Sequence, residues 1–256
     1  MILQLEGLRF EYPARPVLEN ISFNVEKGQV VAILGTNGAG KTTLLKCINR
    51  ILIPTDGSIF IDGEAVENLG RNVLAQKIGY VSQQSKRSQS TVFDTVLLGR
   101  KPYIRWDINN TDMEIVSKAL ETLGMSGYAL RYLDELSGGE LQKVVIARAL
   151  AQEPDILLMD EPTSSLDLKN QLEVLTLIRQ ISSQRGIACV VAMHDLNLAL
   201  RFADRFLLLK DNTIFAAGGF EVMTPENLES VYAVQVMIAS HNGSRVVIPL
   251  QEQKNE

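Results

Sequence analysis

The strongest constraint in this chain is an eight-residue run, Gly35-Thr36-Asn37-Gly38-Ala39-Gly40-Lys41-Thr42, lying between the apolar stretch Val30 to Leu34 and a segment with helical spacing. It fits GxxxxGK[ST] in the order buried strand, glycine loop, helix, which is the context that gives the pattern meaning. Glycines let successive backbone N–H groups point into one concavity, and the positive end of the following helix dipole adds to them. Such a loop holds a polyphosphate largely by main chain. Gly35, Asn37, Gly38, Ala39, Gly40 and Thr43 are candidates for that cradle. Lys41 is placed to reach β- and γ-phosphates and the Thr42 hydroxyl to ligate Mg²⁺.

A magnesium site of this kind needs a carboxylate on a neighbouring strand. Ile156-Leu157-Leu158-Met159 reads as a buried strand, and Asp160-Glu161 follows where it emerges. Parallel sheets bind ligands at the carboxyl ends of their strands. Asp160 is therefore the metal-side candidate, and Glu161 the candidate base for an attacking water.

The rest of the chain supplies the scaffold. Ile2 to Phe10, Val17 to Val25 and Val30 to Leu34 read as strands, with turns at Tyr12-Pro13 and Lys27-Gly28. Apolar residues Leu44, Leu45, Ile48 and Ile51 predict a helix over Thr42 to Leu52. From Ser85 to Ala151 helical patterns replace strands. Thr111 and Glu114 are read there as a capping box, Met113, Val116, Leu120 and Leu123 as one apolar stripe, and Gly124 as its stop. Strand signals return at Ile156 to Met159 and Ile187 to Met193 with a helix, Asn170 to Ser182, between them, a βαβ pattern with parallel strands. Thr224-Pro225-Glu226 starts a short helix to about Ala233, Asn242-Gly243 predicts a type I′ hairpin joining two β-rich runs, and Gln251 to Glu256 read as frayed.

Composition narrows the class. Among 256 residues, 46% are hydrophobic and 21% charged, with a net charge of −5, so a folded globular chain is expected and bulk affinity for nucleic acid is not. The longest apolar run, Ile187 to Met193, has seven residues where a membrane span needs about 20. No secretory signal pattern opens the sequence, so a cytosolic location is expected. Cys47 and Cys189 sit among apolar or helical neighbours and read as small hydrophobes. With His194 and His241 they form no structural zinc spacing.

Further along, Leu136-Ser137-Gly138-Gly139-Glu140 lies about 20 residues before Asp160-Glu161 and opens a helix through Leu141, Val144, Val145 and Arg148. A capping serine and exposed N–H groups make it a second anion-binding helix start. Together these segments resemble the ATP-binding-cassette (ABC) ATPases over nearly the whole chain. Leu136 to Glu140 resembles that family's signature, Gln83 after Ile78 to Ser82 the Q-loop glutamine, Ser164 to Asp167 the D-loop, His194 the switch histidine, and Tyr12 the aromatic that stacks on adenine. The resemblance implies an α/β P-loop core with a parallel sheet, an N-terminal antiparallel β subdomain and an inserted helical subdomain. The implied boundaries are 1–84 and 152–222 for the core with its β subdomain, 85–151 for the helical subdomain and 223–256 for a C-terminal helix and hairpin.

The same resemblance implies ATP and Mg²⁺ as ligands, Gln83 as a metal and water sensor, His194 as a γ-phosphate contact orienting Glu161, and Asp167 as a coupler between two sites. Ser137, Gly138 and Gly139 would close on ATP held by a second copy of the chain, giving a head-to-tail pair. Ser82, where proline is commoner, and Glu140, where glutamine is commoner, depart from the pattern. A negative Glu140 favours its helix dipole and opposes a nearby triphosphate.

Thr91 to Tyr103 resembles importers of iron-siderophore, haem or cobalamin chelates. That likeness implies a polytopic membrane permease as partner, a substrate-binding protein indirectly, and a peripheral position on the cytoplasmic face of the membrane. Tyr103, Ile104 and Trp106 are candidates for docking on the permease; packing into the insertion's own core is the other reading. A soluble ABC ATPase of a cofactor-assembly or remodelling complex is the alternative function.

Overall fold

The structure is a computed structural model describing residues 1–13, 15–83, 88–241 and 243–250. Ser85, Asn242 and Gln251 to Glu256, named above, lie outside the described residues. Two long strands, β1 (Leu3–Tyr12) and β2 (Arg15–Val25), are followed by β3 (Val30–Leu34), α1 (Lys41–Ile48), β4 (Asp56–Ile61) and the short β5 (Glu64–Ala65). Then come α2 (Arg71–Lys77), β6 (Ile78–Val81) and three helices, α3 (Val92–Leu97), α4 (Asn110–Thr122) and α5 (Gly138–Leu150). The chain returns to the sheet with β7 (Ile156–Asp160), α6 (Leu168–Arg185), β8 (Ala188–Ala192), α7 (Leu196–Phe202), β9 (Arg205–Lys210) and β10 (Thr213–Gly218). It ends in α8 (Pro225–Tyr232), β11 (Val236–His241) and β12 (Ser244–Pro249).

The central sheet has the order β10-β9-β3-β8-β7-β6, parallel except for β10, and an antiparallel sheet β2-β1-β4-β5 stands apart from it. All five residues of β3, β7 and β8 are buried, as expected of parallel strands covered on both faces. Alternation assigns the two faces. Val30, Ala32 and Leu34 of β3 join the core shared with the helical stretch, whereas Val31 and Ile33 join the core containing the antiparallel sheet and α1. The same division holds for Leu157 and Met159 against Ile156 and Leu158. One sheet thus carries two cores, and its carboxyl edge lies between the elements they support.

Several local expectations are corrected. The first helix ends at Ile48 rather than Leu52. Arg50 turns the backbone to φ 52° and donates to the carbonyls of Val66 and Leu69 at 3.3 and 2.9 Å, which leaves Ile51 half exposed. The α4 capping box is made by Asn109 and Asp112, not Thr111 and Glu114: Asn109 Oδ1 accepts from the Asp112 N–H at 3.0 Å, and Asp112 Oδ2 from the Asn109 N–H at 3.2 Å. The register shift puts Met113 on the exposed side, and the stripe becomes Val116, Ala119, Leu120 and Leu123.

Buried Asp112 also receives Arg100, whose other bonds reach the Ala151 carbonyl at 2.8 Å and Glu153 at 2.9 Å. A buried guanidinium needs this many acceptors to offset lost hydration. Tyr103 belongs to the same knot: its ring lies under Arg100 at 3.9 Å and its hydroxyl donates to the Gln152 carbonyl at 2.7 Å. Tyr103 therefore packs inward, Phe93 packs against the core, and Trp106 stands 98% exposed. Both cysteines are buried and unpaired, and burial pushes each thiol up to about 12.

Candidate active site

The glycine loop owes its shape to positions where a side chain cannot stand. Gly35 has φ 152°, and a Cβ there would lie 2.6 Å from the Leu209 carbonyl oxygen. Gly40, at φ 98°, caps α1 without any side-chain hydrogen bond, and a Cβ on it would meet the Val17 carbonyl at 2.9 Å. No acidic residue occupies the first turn of α1. The helix therefore presents its first N–H groups with neither a capping oxygen nor a resident negative charge, the condition for holding a phosphate.

Lys41 is 5% exposed and donates to the carbonyls of Gly35 and Thr36 at 2.8 and 3.1 Å. Burial lowers its pKa, and the negative charges of Glu161 and Asp160 act in the opposite direction. Thr42 Oγ1 donates to Asp160 Oδ1 at 2.9 Å across the sheet edge. Burial raises the Asp160 pKa, with the Thr42 bond opposing it and Glu161 adding to it. A hydroxyl and a carboxylate held this close are hard oxygen donors of the kind Mg²⁺ takes alongside substrate phosphates and water. The residues present fit that ion: few protein ligands, desolvated, beside a phosphate cradle.

Glu161 is the meeting point. It holds φ 50°, a left-handed conformation that costs a non-glycine residue on the order of 1 kcal/mol, and its N–H donates to the Ala192 carbonyl at 3.1 Å. Gln83 Nε2 donates to Glu161 Oε2 at 2.6 Å, and His194 Nε2 contacts Glu161 Oε1. Because Gln83 gives its nitrogen to Glu161, its oxygen is the atom suited to a metal. Gln83 and His194, 78 and 33 positions from Glu161 along the chain, thus converge on its carboxylate at the carboxyl ends of β6, β7 and β8.

A cleft of about 230 Å³ connects these groups to the N-terminal sheet and is lined by Tyr12, Arg15, Val17, Gly38, Gly40, Lys41, Thr42, Thr43 and Glu161. Tyr12 is held edge-on by Phe10, with centroids 5.0 Å apart, leaving its ring partly exposed. Arg15 and Val17 were not among the residues singled out from the sequence; an arginine and a valine just past a Tyr-Pro turn carry no distinguishing pattern. Gly35, Asn37 and Ala39 shape the loop without lining the cleft.

The second helix start lies elsewhere. Ser137, Gly138, Gly139 and Asp167 do not line the cleft. Ser137 caps α5 in a reciprocal box with Glu140, whose carboxylate accepts from the Ser137 N–H at 2.8 Å and hydroxyl at 2.7 Å. These bonds lower the Glu140 pKa. A Cβ on Gly139 would fall 2.5 Å from Asn170 Oδ1 of α6, the helix capped by Asp167. Gly139 is thus fixed by helix packing, and the start of α5 lies against the start of α6.

A parallel sheet whose carboxyl edge joins a glycine loop, a threonine-aspartate pair and a buttressed glutamate defines a P-loop nucleoside triphosphatase. The ABC transporter family profile matches residues 18–164, more than half of the chain, and the protein belongs to that family as an ATP-binding, ATP-hydrolysing subunit. It is 56% identical to the uncharacterized ABC transporter ATP-binding protein MJ0089 of Methanocaldococcus jannaschii, covering 98% of each chain. It is 35% identical to the ferric enterobactin transport ATP-binding protein FepC of Escherichia coli, covering 97% of this chain and 94% of that one. Among solved structures, one described as an inward-facing metal-chelate type ABC transporter superposes with a TM-score of 0.86 at 32% identity over 98% of both chains. A dimeric ATP-binding cassette, MJ0796, bound to ADP and Pi superposes with a TM-score of 0.74 at 30% identity, covering 85% of this chain and 98% of that one. Among the described residues no helix is long and apolar enough to cross a membrane.

Proposed function

We propose that the protein is the motor of an importer: two copies clasp two Mg-ATP head to tail, and their cycle drives uptake of a metal chelate, an iron-siderophore, haem or cobalamin, through a separate polytopic permease at the cytoplasmic face of the membrane. A substrate-binding protein would deliver the chelate. The observation carrying this reading is the convergence of Gln83 and His194 on Glu161 beside the Thr42–Asp160 pair, while the Ser137 helix start lies outside the cleft. One of the two anion-suited helix starts thus lies outside the cleft of its own copy, and a twofold pair would bring it to the partner's nucleotide.

In this reading Tyr12 stacks on the base and the α1 N–H groups bind phosphate oxygens. Lys41 leaves its two loop carbonyls for the β- and γ-phosphates, drawn by greater negative charge. Thr42, Asp160 and Gln83 hold Mg²⁺, which supplies charge neutralisation on the phosphate oxygens. Glu161 accepts the proton of the attacking water, and His194 holds that carboxylate in line. Ser137, Gly138 and Gly139 of the partner close over the γ-phosphate, with Asp167 relaying closure between the two sites. Gln83 stands just before the helical stretch, so the occupancy it senses reaches the surface around exposed Leu98 and Trp106, the proposed permease face.

Glu161→Gln tests the assignment. The amide keeps shape and removes the base, so turnover should fall at least about 100-fold while ATP binding persists and an ATP-dependent dimer accumulates in size-exclusion chromatography. Turnover at the wild-type rate would remove Glu161 from the role. Reconstitution with the permease, followed by ATP-driven uptake of ferric siderophore, haem or cobalamin, tests the cargo class.

A further inference from the structure

The last elements of the chain are fastened to the catalytic edge through Asn197, in the opening turn of α7, which holds the backbone of Val247 in β12 from both sides. Its Oδ1 accepts from the Val247 N–H at 2.7 Å and its Nδ2 donates to the Val247 carbonyl at 3.3 Å. The same residue's backbone N–H donates at 2.8 Å to Asp195, the cap of α7, which directly follows His194.

The hairpin is itself anchored. Val247 is 4% exposed, Val236, Ile238 and Tyr232 pack against the core beneath the sheet, and the Arg245 guanidinium lies 3.4 Å above the Phe220 ring. A two-residue connection, His241 pairing with Ser244, keeps the strands in register, with Gly243 at φ 77°. The hairpin thus lies against α7 and is bonded to it. The first turn of α7 is closed by Asp195, which accepts from the N–H groups of Asn197 and Leu198 at 2.8 and 2.9 Å, and Asn197 extends that cap to β12; the His194 side chain itself is 41% exposed.

We infer that this hairpin is a positioning element for hydrolysis, with Asn197 the residue that transmits it: by tying the first turn of α7 to β12, it holds His194 against Glu161. The inference rests on the proposed role of His194. Asn197 touches no substrate atom in this arrangement; it acts through the α7 cap.

The test uses the full chain and steady-state ATP hydrolysis. Asn197→Leu keeps volume and removes both bonds to Val247; kcat should fall about tenfold with KM for ATP within about twofold, because the phosphate cradle is untouched. Asn197→Asp keeps an acceptor for the Val247 N–H but sets its other oxygen against the Val247 carbonyl, so its kcat should lie between those of Asn197→Leu and wild type. Arg245→Ala loosens the hairpin far from α7 and should speed amide exchange across residues 236–249 while lowering kcat about threefold; it also serves if Asn197→Leu does not fold. An unchanged kcat in Asn197→Leu, or in Arg245→Ala once faster exchange is seen, overturns the inference. So does a parallel loss of kcat, ATP affinity and thermal stability, the signature of general damage. If His194→Ala itself hydrolyses normally, it is the assignment of His194 that fails, a result distinct from a silent Asn197.

Discussion

The chain contains two helix starts suited to anions, and they are built oppositely. At α1 the cap is Gly40 in a left-handed conformation, no side chain covers the first N–H groups, and the first turn carries no acid. At α5 the cap is Ser137, its hydroxyl is already bonded, and Glu140 in the first turn occupies the place a phosphate would favour. The first start is open within its own copy and lines the cleft; the second is satisfied on its own and does not line it. An open start binds substrate in an isolated chain. A satisfied one engages only when something stronger than its own carboxylate arrives, which is what the γ-phosphate presented by a partner copy would be.

The comparison breaks most visibly at α1. Lys41→Ala removes a buried ammonium and leaves the Gly35 and Thr36 carbonyls without their donor. ATP affinity of the isolated chain should drop about 30-fold or more, since a charge-assisted contact to phosphate in a desolvated site exceeds about 2 kcal/mol. Calorimetric titration with ATP and magnesium measures it. Retained affinity would mean that main chain alone holds the triphosphate, and that the open helix start needs no cation.

A smaller effect is expected at Gly139. A Cβ there would press on Oδ1, Cγ and Cβ of Asn170 at 2.5, 2.7 and 3.2 Å, so the whole side chain would have to swing away. Gly139→Ala should leave ATP binding by the isolated chain within about twofold while weakening ATP-dependent dimerisation about tenfold in a Glu161→Gln background, in line with overpacking costs of about 1–3 kcal/mol. Adding Asn170→Ala should recover most of the loss. Equal damage to monomer binding would show that the two helix starts are not separable.

The α1 start was almost fully legible in the sequence because its requirements are local: glycines at positive φ, a lysine and a threonine at fixed spacing, and a buried strand before them. Asp160 and Glu161 were legible for the same reason. The convergence of Gln83, Glu161 and His194 is not local, and came from resemblance. Arg15 and Val17 were illegible because they reach the cleft only through the packing of β2 over α1. The α4 cap was misplaced by two residues because Asn109 and Thr111 both suit a cap, and Arg100, distant in sequence, decides between them by fixing Asp112. Tyr103 faces inward through that same arginine, a contact no spacing announces.

The finest test of the contrast is Glu140→Gln. A glutamine preserves the capping box, since its side-chain oxygen still accepts from the Ser137 N–H and hydroxyl. It removes the charge that serves the α5 dipole, an effect of about 0.3–1 kcal/mol, so the isolated chain should melt slightly lower. Removing the same charge also weakens the hold on the Ser137 proton and the repulsion of an incoming triphosphate. ATP-dependent dimerisation should therefore tighten about threefold in a Glu161→Gln background, while ATP affinity of the monomer stays constant because Glu140 does not line the cleft. Stability and assembly thus move in opposite directions for one atom exchanged. Analytical ultracentrifugation across ATP concentrations measures the second, thermal melting the first. If both fell together, Glu140 would belong to the binding surface rather than oppose it, and the second helix start would be open like the first.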